Sequence, residues 1–174
     1  MTIADFDKIS MNGRMAYSIL CVEKYLLDKF PNDDWESLSR IMWEATSSLW
    51  DEWADKFIEI IPEYLFEKPT FLESDFEELT EEEYNEFVLL LKDKPDTVNQ
   101  LLLKLYELEQ VYSYTSIPET GKEASQIVLD ICSILEENEI SLPDLSTVQF
   151  SSFSEKNGWG NNFEGAAISL ILNC

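Results

Sequence analysis

Between residues 96 and 112 apolar side chains return at steps of three and four: Val98, Leu101, Leu105, Leu108 and Tyr112. A helix that buries one face satisfies that spacing, because 3.6 residues per turn bring these positions to one side. The same rhythm runs through most of the chain. Met15, Ile19, Val22 and Leu26 carry it in a first helix, with Ala16, Leu20, Leu27 and Phe30 widening the face and Pro31 closing it. Asn12-Gly13 reads as the turn from which this helix departs. Asp33-Asp34 supplies the expected N-cap of a second helix, with the stripe Trp35, Leu38, Met42, Ala45 and Leu49. Trp50, Trp53, Phe57, Ile60 and Tyr64 form a third stripe, set off by Thr46-Ser47-Ser48, with Ser48 as its expected cap. Pro62 ends or kinks that helix.

Residues 66–79 lack a period. Thr80 to Glu83 is a capping-box signature and opens a short helix through Tyr84, Phe87, Val88 and Leu91. Lys94-Pro95-Asp96 breaks it, and Asp96 is the expected cap of the helix that carries Val98 to Tyr112. Ala124, Ile127, Ile131 and Leu135 mark a last long helix within 120–137. From Ser141 the texture changes to Ser, Asn, Pro143 and Gly158-Trp159-Gly160, which reads as an ordered loop region. The closing apolar run, Ala166 to Leu172, suits a short helix or a strand equally. The expectation is an all-α fold: one domain over 1–174, an antiparallel bundle of about six helices, with 141–174 as a loop-rich C-terminal extension packed on it. At 45% hydrophobic residues, 174 residues are ample for one core.

Charge and residue types then narrow the function. The 35 acidic and 12 basic residues leave a net charge of −23. Phosphate recognition needs Lys and Arg, so nucleic acid and anionic membrane are not expected partners. A protein partner with a basic surface is, and so is the plain alternative that acidity serves solubility. The chain has no His, which removes the commonest general base and every triad built on it. Cys21, Cys132 and Cys174 are far apart and odd in number, so they read as reduced thiols, the first two in the core. The first residues lack a signal peptide's charged and apolar regions, and no apolar run approaches the ~20 residues of a membrane span. A cytoplasmic protein without cofactor or metal is expected.

Paired carboxylates such as Asp51 and Asp55, or Glu78 and Glu82, offer hard-cation ligands, but solvated helix faces explain them more simply. Trp35, Trp50 and Trp53 fall on core stripes, whereas Trp43 lies off its stripe and suits contact with a second layer. Trp159, between two glycines, is expected to plug the end of the bundle. Residues 73–86 stand out, with eight acids and no Lys or Arg. Glutamates at a helix N-terminus suit the dipole there, which accounts for Glu81 to Glu83 better than for the acids before them. The candidate partner-binding residues are Glu73, Asp75, Glu77, Glu78, Glu81 and Glu82, for steering, with Phe76 and Tyr84 as buried anchors.

The run Gly13-Arg14-Met15-Ala16-Tyr17, Cys21-Val22-Glu23-Lys24, Pro31, Trp35 and Trp43-Glu44 resembles all-α immunity proteins of bacterial polymorphic toxin systems. It is also similar to an all-helical bacterial family with a Cys-Glu-Arg, Pro and Trp-Glu pattern, although Lys24 stands where that pattern has Arg. The resemblance covers residues 13–66, with an echo at Gly158-Trp159-Gly160. It implies a small cytosolic protein that binds and neutralises a cognate toxin domain, and it implies no catalytic residue. Two other readings stand beside it: a helical enzyme with a carboxylate-only metal site, and an acidic scaffold or adaptor.

Overall fold

The computed structural model describes residues 1–48 and 50–173. Leu49, the last member of the second stripe, and Cys174 lie outside the described residues. Among the described residues seven α-helices follow one another: α1 (Met11–Lys29), α2 (Glu36–Glu44), α3 (Trp50–Ile60), the single turn α4 (Pro62–Leu65), α5 (Glu81–Leu91), α6 (Asp96–Gln110) and α7 (Lys122–Glu137). There is no strand among the described residues, only one antiparallel bridge between Ile9 and Ser152. The all-α reading holds.

Helix α1 is the axis of the molecule. Every residue from Met11 to Glu23 is buried, because α2, α6, α7 and the 3-10 turn Leu145–Val148 surround it. Its two ends fix its direction against α7. Arg14 bonds to Gly121 at the start of α7, and Lys29 Nζ donates to the Asn138 carbonyl just past its end, so α1 and α7 run parallel. Helix α6 returns antiparallel against both, with Lys104 paired to Asp130 across the α6–α7 contact. On the other side, α2 runs back along α1 and α3 lies against α2 and α6. The apolar stripes supply the core as expected: Met15, Ile19, Val22, Leu26, Leu101, Leu105, Leu108, Ile131 and Leu135 are fully enclosed. Burying side chains of this size at about 1.5–3 kcal/mol each is the main force holding the bundle. Cys21 and Cys132 face each other across α1 and α7 as free buried thiols, and burial pushes the Cys21 thiol well up.

Several boundaries differ from the sequence expectation. Asn12-Gly13 is not a turn but the first turn of α1, capped by Ser10, whose Oγ accepts from Gly13 N at 3.1 Å. Glycine is there for closeness: a Cβ would sit 2.6 Å from Ile9 Cγ2 and 3.1 Å from Ser151 Cβ. Asp34 acts one position outside the N-cap, Trp35, through its Oδ1 and Glu36 N. Pro95 is the N-cap of α6, and Asp96 is the first helical residue. The Ser48 hydroxyl, expected as a cap for α3, donates back to the Glu44 carbonyl at 2.7 Å. Ala166 to Leu172 resolves as a 3-10 turn, Gly165–Ile168, followed by an irregular stretch.

The C-terminal segment wraps the start of α1 and then α2. Ser10 N donates to the Ser151 carbonyl, Asn12 N to the Trp159 carbonyl, and Phe163 N to the Thr46 carbonyl. Gly160, at φ +82°, lies where a Cβ would fall on Ser10 Oγ, and Gly165 lies where one would fall on the Trp43 ring. The loop-rich extension is therefore built into the bundle by close backbone approach.

Candidate functional site

Residues 73–86 hang on the far end of α3, held there by another acid. Glu59 accepts the backbone amides of Glu77, Glu78 and Leu79 at 2.8, 3.1 and 2.8 Å. Three oriented N–H groups make a cradle for one carboxylate, so Glu59 fixes the chain that carries the others. Leu79 is buried next to this contact. The capping box at Thr80 is complete: its Oγ1 accepts from Glu83 N, and Glu83 Oε2 accepts from Thr80 N. Burial of the Glu83 carboxyl opposes its ionisation, but the hydrogen bonds from Lys56 and Thr80 outweigh it and hold it below its usual range. Lys56 also ties α3 to α5 through Glu83 at 2.8 Å.

The expected carboxylates all face outward. Glu73, Asp75, Glu77, Glu78, Glu81 and Glu82 are exposed, and the nearby ion pairs, Lys56–Glu83 and Lys68–Glu67, use other acids. Asp75 sits in the left-handed region at φ 50°, at the bend between the Phe71–Glu73 turn and the Glu59 cradle. The two expected anchor rings are placed differently. Tyr84 is buried and Phe76 half-buried, because they pack on each other and on Phe71 with centroids 5.6 to 6.2 Å apart. Their apolar area is spent inside the protein, pinning the segment to α5. The apolar side chains this end offers to solvent are Leu72, 87% exposed, Leu89, 69% exposed, and Phe66. Leu89 shares the outer face of α5 with Glu82, Asn85 and Glu86.

Two charged residues of the resembling run, Glu23 and Arg14, are buried and hydrogen-bonded. Glu23 is fully enclosed and accepts from Ser39 Oγ at 2.5 Å, Trp43 Nε1 at 2.8 Å, Ser169 Oγ at 2.6 Å and Leu170 N at 2.7 Å. This explains why Trp43 sits off the α2 stripe: its indole reaches α1 through Glu23. Arg14 is also fully enclosed and donates to the carbonyls of Phe6, Thr120 and Gly121 at 2.9, 2.6 and 2.7 Å. Burial pushes its pKa down to about 10. Both stand in the resembling run, but their sequence neighbours assign neither a structural role. The signal for Glu23 was its place between Leu20 and Leu27 on the widened apolar face of α1.

At the opposite end of α3, Trp50 and Trp159 meet edge to face at 5.2 Å. Trp50 is half-buried, not a core residue like Trp53, and Trp159 closes against it. Among the described residues, no three His, Cys, Asp or Glu side chains gather as a metal would require. No helix is long and apolar enough to cross a membrane. The chain matches no protein-family model, no curated protein and no solved structure.

Proposed function

We propose that this chain is an immunity-type binding protein of the bacterial cytoplasm, which neutralises a cognate toxin domain by covering its basic surface. The observation that carries the reading is the make-up of the α3–α5 end: Leu72 stands 87% exposed beside six outward carboxylates on backbone that Glu59 and Thr80 hold in place. Acidic groups around an exposed apolar centre suit a basic protein cleft, since the charges speed encounter and the apolar group supplies contact area. An evenly charged scaffold would not concentrate them. Residues 61–95 carry a net −8, against −6 over the longer stretch 1–60. The resemblance over residues 13–66 points the same way. On this reading the protein performs no chemistry and needs no cofactor. The apolar contact passes from Phe76 and Tyr84, whose rings are used internally, to Leu72 and Leu89.

The test is direct. The toxin domain encoded beside this chain is purified and its activity measured as the chain is added. Loss of activity at a 1:1 ratio, with a complex on gel filtration, is the expected result. A neighbouring product that is no toxin, or a toxin left active at excess chain, would overturn the reading.

A further inference from the structure

A cavity of about 390 Å³ opens at the end of α3 opposite the acidic edge. That volume falls within the range of small-ligand sites. Trp50 and Asp51 of α3, Glu109 of α6 and Trp159 of the C-terminal segment line it, with Tyr114 and Lys156 exposed beside them. Asn12 ties both tryptophans to α1: Trp50 Nε1 donates to Asn12 Oδ1 at 2.9 Å, and the Trp159 backbone carbonyl accepts from Asn12 N at 3.0 Å. Tyr114 sits at φ 61° with its ring 94% exposed, so the backbone there leaves an aromatic side chain free next to the cavity.

The carboxylates of this site have neutral partners. Glu109 is 3% exposed, and its side chain accepts from Ser113 Oγ at 2.6 Å and from the Gln110 amide. Burial raises its pKa, and the charges of Asp51 and Asp55 raise it further, which places three acids within electrostatic reach of one another. A neutral apolar ligand would strip water from the exposed Asp51 carboxylate without replacing it, and would leave the buried Glu109 carboxyl without a cation. An anion would meet their repulsion. A cation would gain from both, and also from the indoles of Trp50 and Trp159 that line the cavity.

We propose that this cavity binds an organic cation, a guanidinium or alkylammonium group, held by the carboxylates of Asp51 and Glu109 and the indoles of Trp50 and Trp159. The site is separate from the acidic edge and does not depend on the toxin reading. Its occupant can be a free small amine or a basic side chain of a protein, and the experiment separates the two. Agmatine and acetyl-Gly-Arg-Gly-amide are titrated into the full chain labelled with 15N, and the indole N–H signals are followed. The Trp50 and Trp159 signals are expected to shift saturably, with a dissociation constant in the millimolar range or tighter, roughly 10 mM at most. The same peptide with citrulline in place of arginine should leave them unmoved. The D51N/E109Q pair and W159L should each weaken binding about tenfold or more. K156Q, which removes an opposing charge, should tighten it. Agmatine binding as well as the peptide assigns the site to a free cation, and a tighter peptide assigns it to a protein side chain. No saturable shift up to about 10 mM, equal binding of the citrulline peptide, or loss of binding in K156Q would overturn the proposal. The arginine–citrulline comparison uses the unaltered protein, so it stands whether or not the variants fold.

Discussion

Glu23→Ala should lower stability by about 3–5 kcal/mol, the largest effect expected of any single truncation here. Four donors converge on that carboxylate: Ser39, Trp43, Ser169 and the Leu170 amide. Ser39, Trp43 and Ser169 are buried, and truncation removes the acceptor of all four donors while leaving a cavity. The loss falls on three parts of the chain at once, since Glu23 is the one side chain in this cluster contributed by α1, while α2 and residues 169–170 supply the donors. Chemical denaturation would read the loss. Hydrogen exchange would locate it, with the amides of Leu170 to Leu172 opening first, because the Ser169 side chain that receives the amides of Ile171 and Leu172 is itself set by Glu23. Glu23→Gln keeps the volume and one acceptor, so it should fall between wild type and Ala. A Glu23→Ala protein within about 1 kcal/mol of wild type would show that the cluster contributes little.

Arg14→Met should cost about 3 kcal/mol, or roughly 6–12 °C in melting temperature for a chain of this size. Methionine keeps much of the volume but leaves the carbonyls of Phe6, Thr120 and Gly121 without the guanidinium that gathers them. These carbonyls belong to the N-terminal turn and to the start of α7. Arg14 thus joins segments more than a hundred residues apart, at the crowded end where Gly121 turns at φ +69°. Arg14→Lys should fare little better, since one ammonium cannot reach three carbonyls in the fork geometry of a guanidinium. A melting temperature unchanged in Arg14→Met would remove Arg14 from this role.

Both residues mark where the sequence stopped being legible. The helices were readable because their cores follow a local period, and the Thr80 capping box and the Pro62 break were readable because they are local chemistry. The partners of Glu23 and Arg14 lie up to 147 residues away, and no spacing rule reaches that far. The same holds in part for Gly13, which looked like a turn because one of the two side chains crowding it, Ser151 beside Ile9, comes from the other end of the chain. At the acidic edge the carboxylates were placed correctly on the surface by their charge alone. The rings of Phe76 and Tyr84 were not, since only the structure reveals that Phe71 completes a cluster with them. The aromatic cavity was invisible for a like reason: Trp50, Glu109 and Trp159 meet only once α3, α6 and the C-terminal segment have packed.

That the α3–α5 end is a surface for a basic protein partner is tested most directly by association kinetics with the proposed partner, a toxin domain encoded beside this chain. The comparison is between the wild-type chain and one in which Glu77, Glu78, Glu81 and Glu82 are changed to Lys. These side chains are exposed, so folding should survive the change, and circular dichroism checks it. The on-rate should fall roughly 100-fold at low salt, with the difference shrinking as ionic strength rises and the Debye length falls below about 10 Å. An on-rate and affinity equal to wild type at low salt would contradict it.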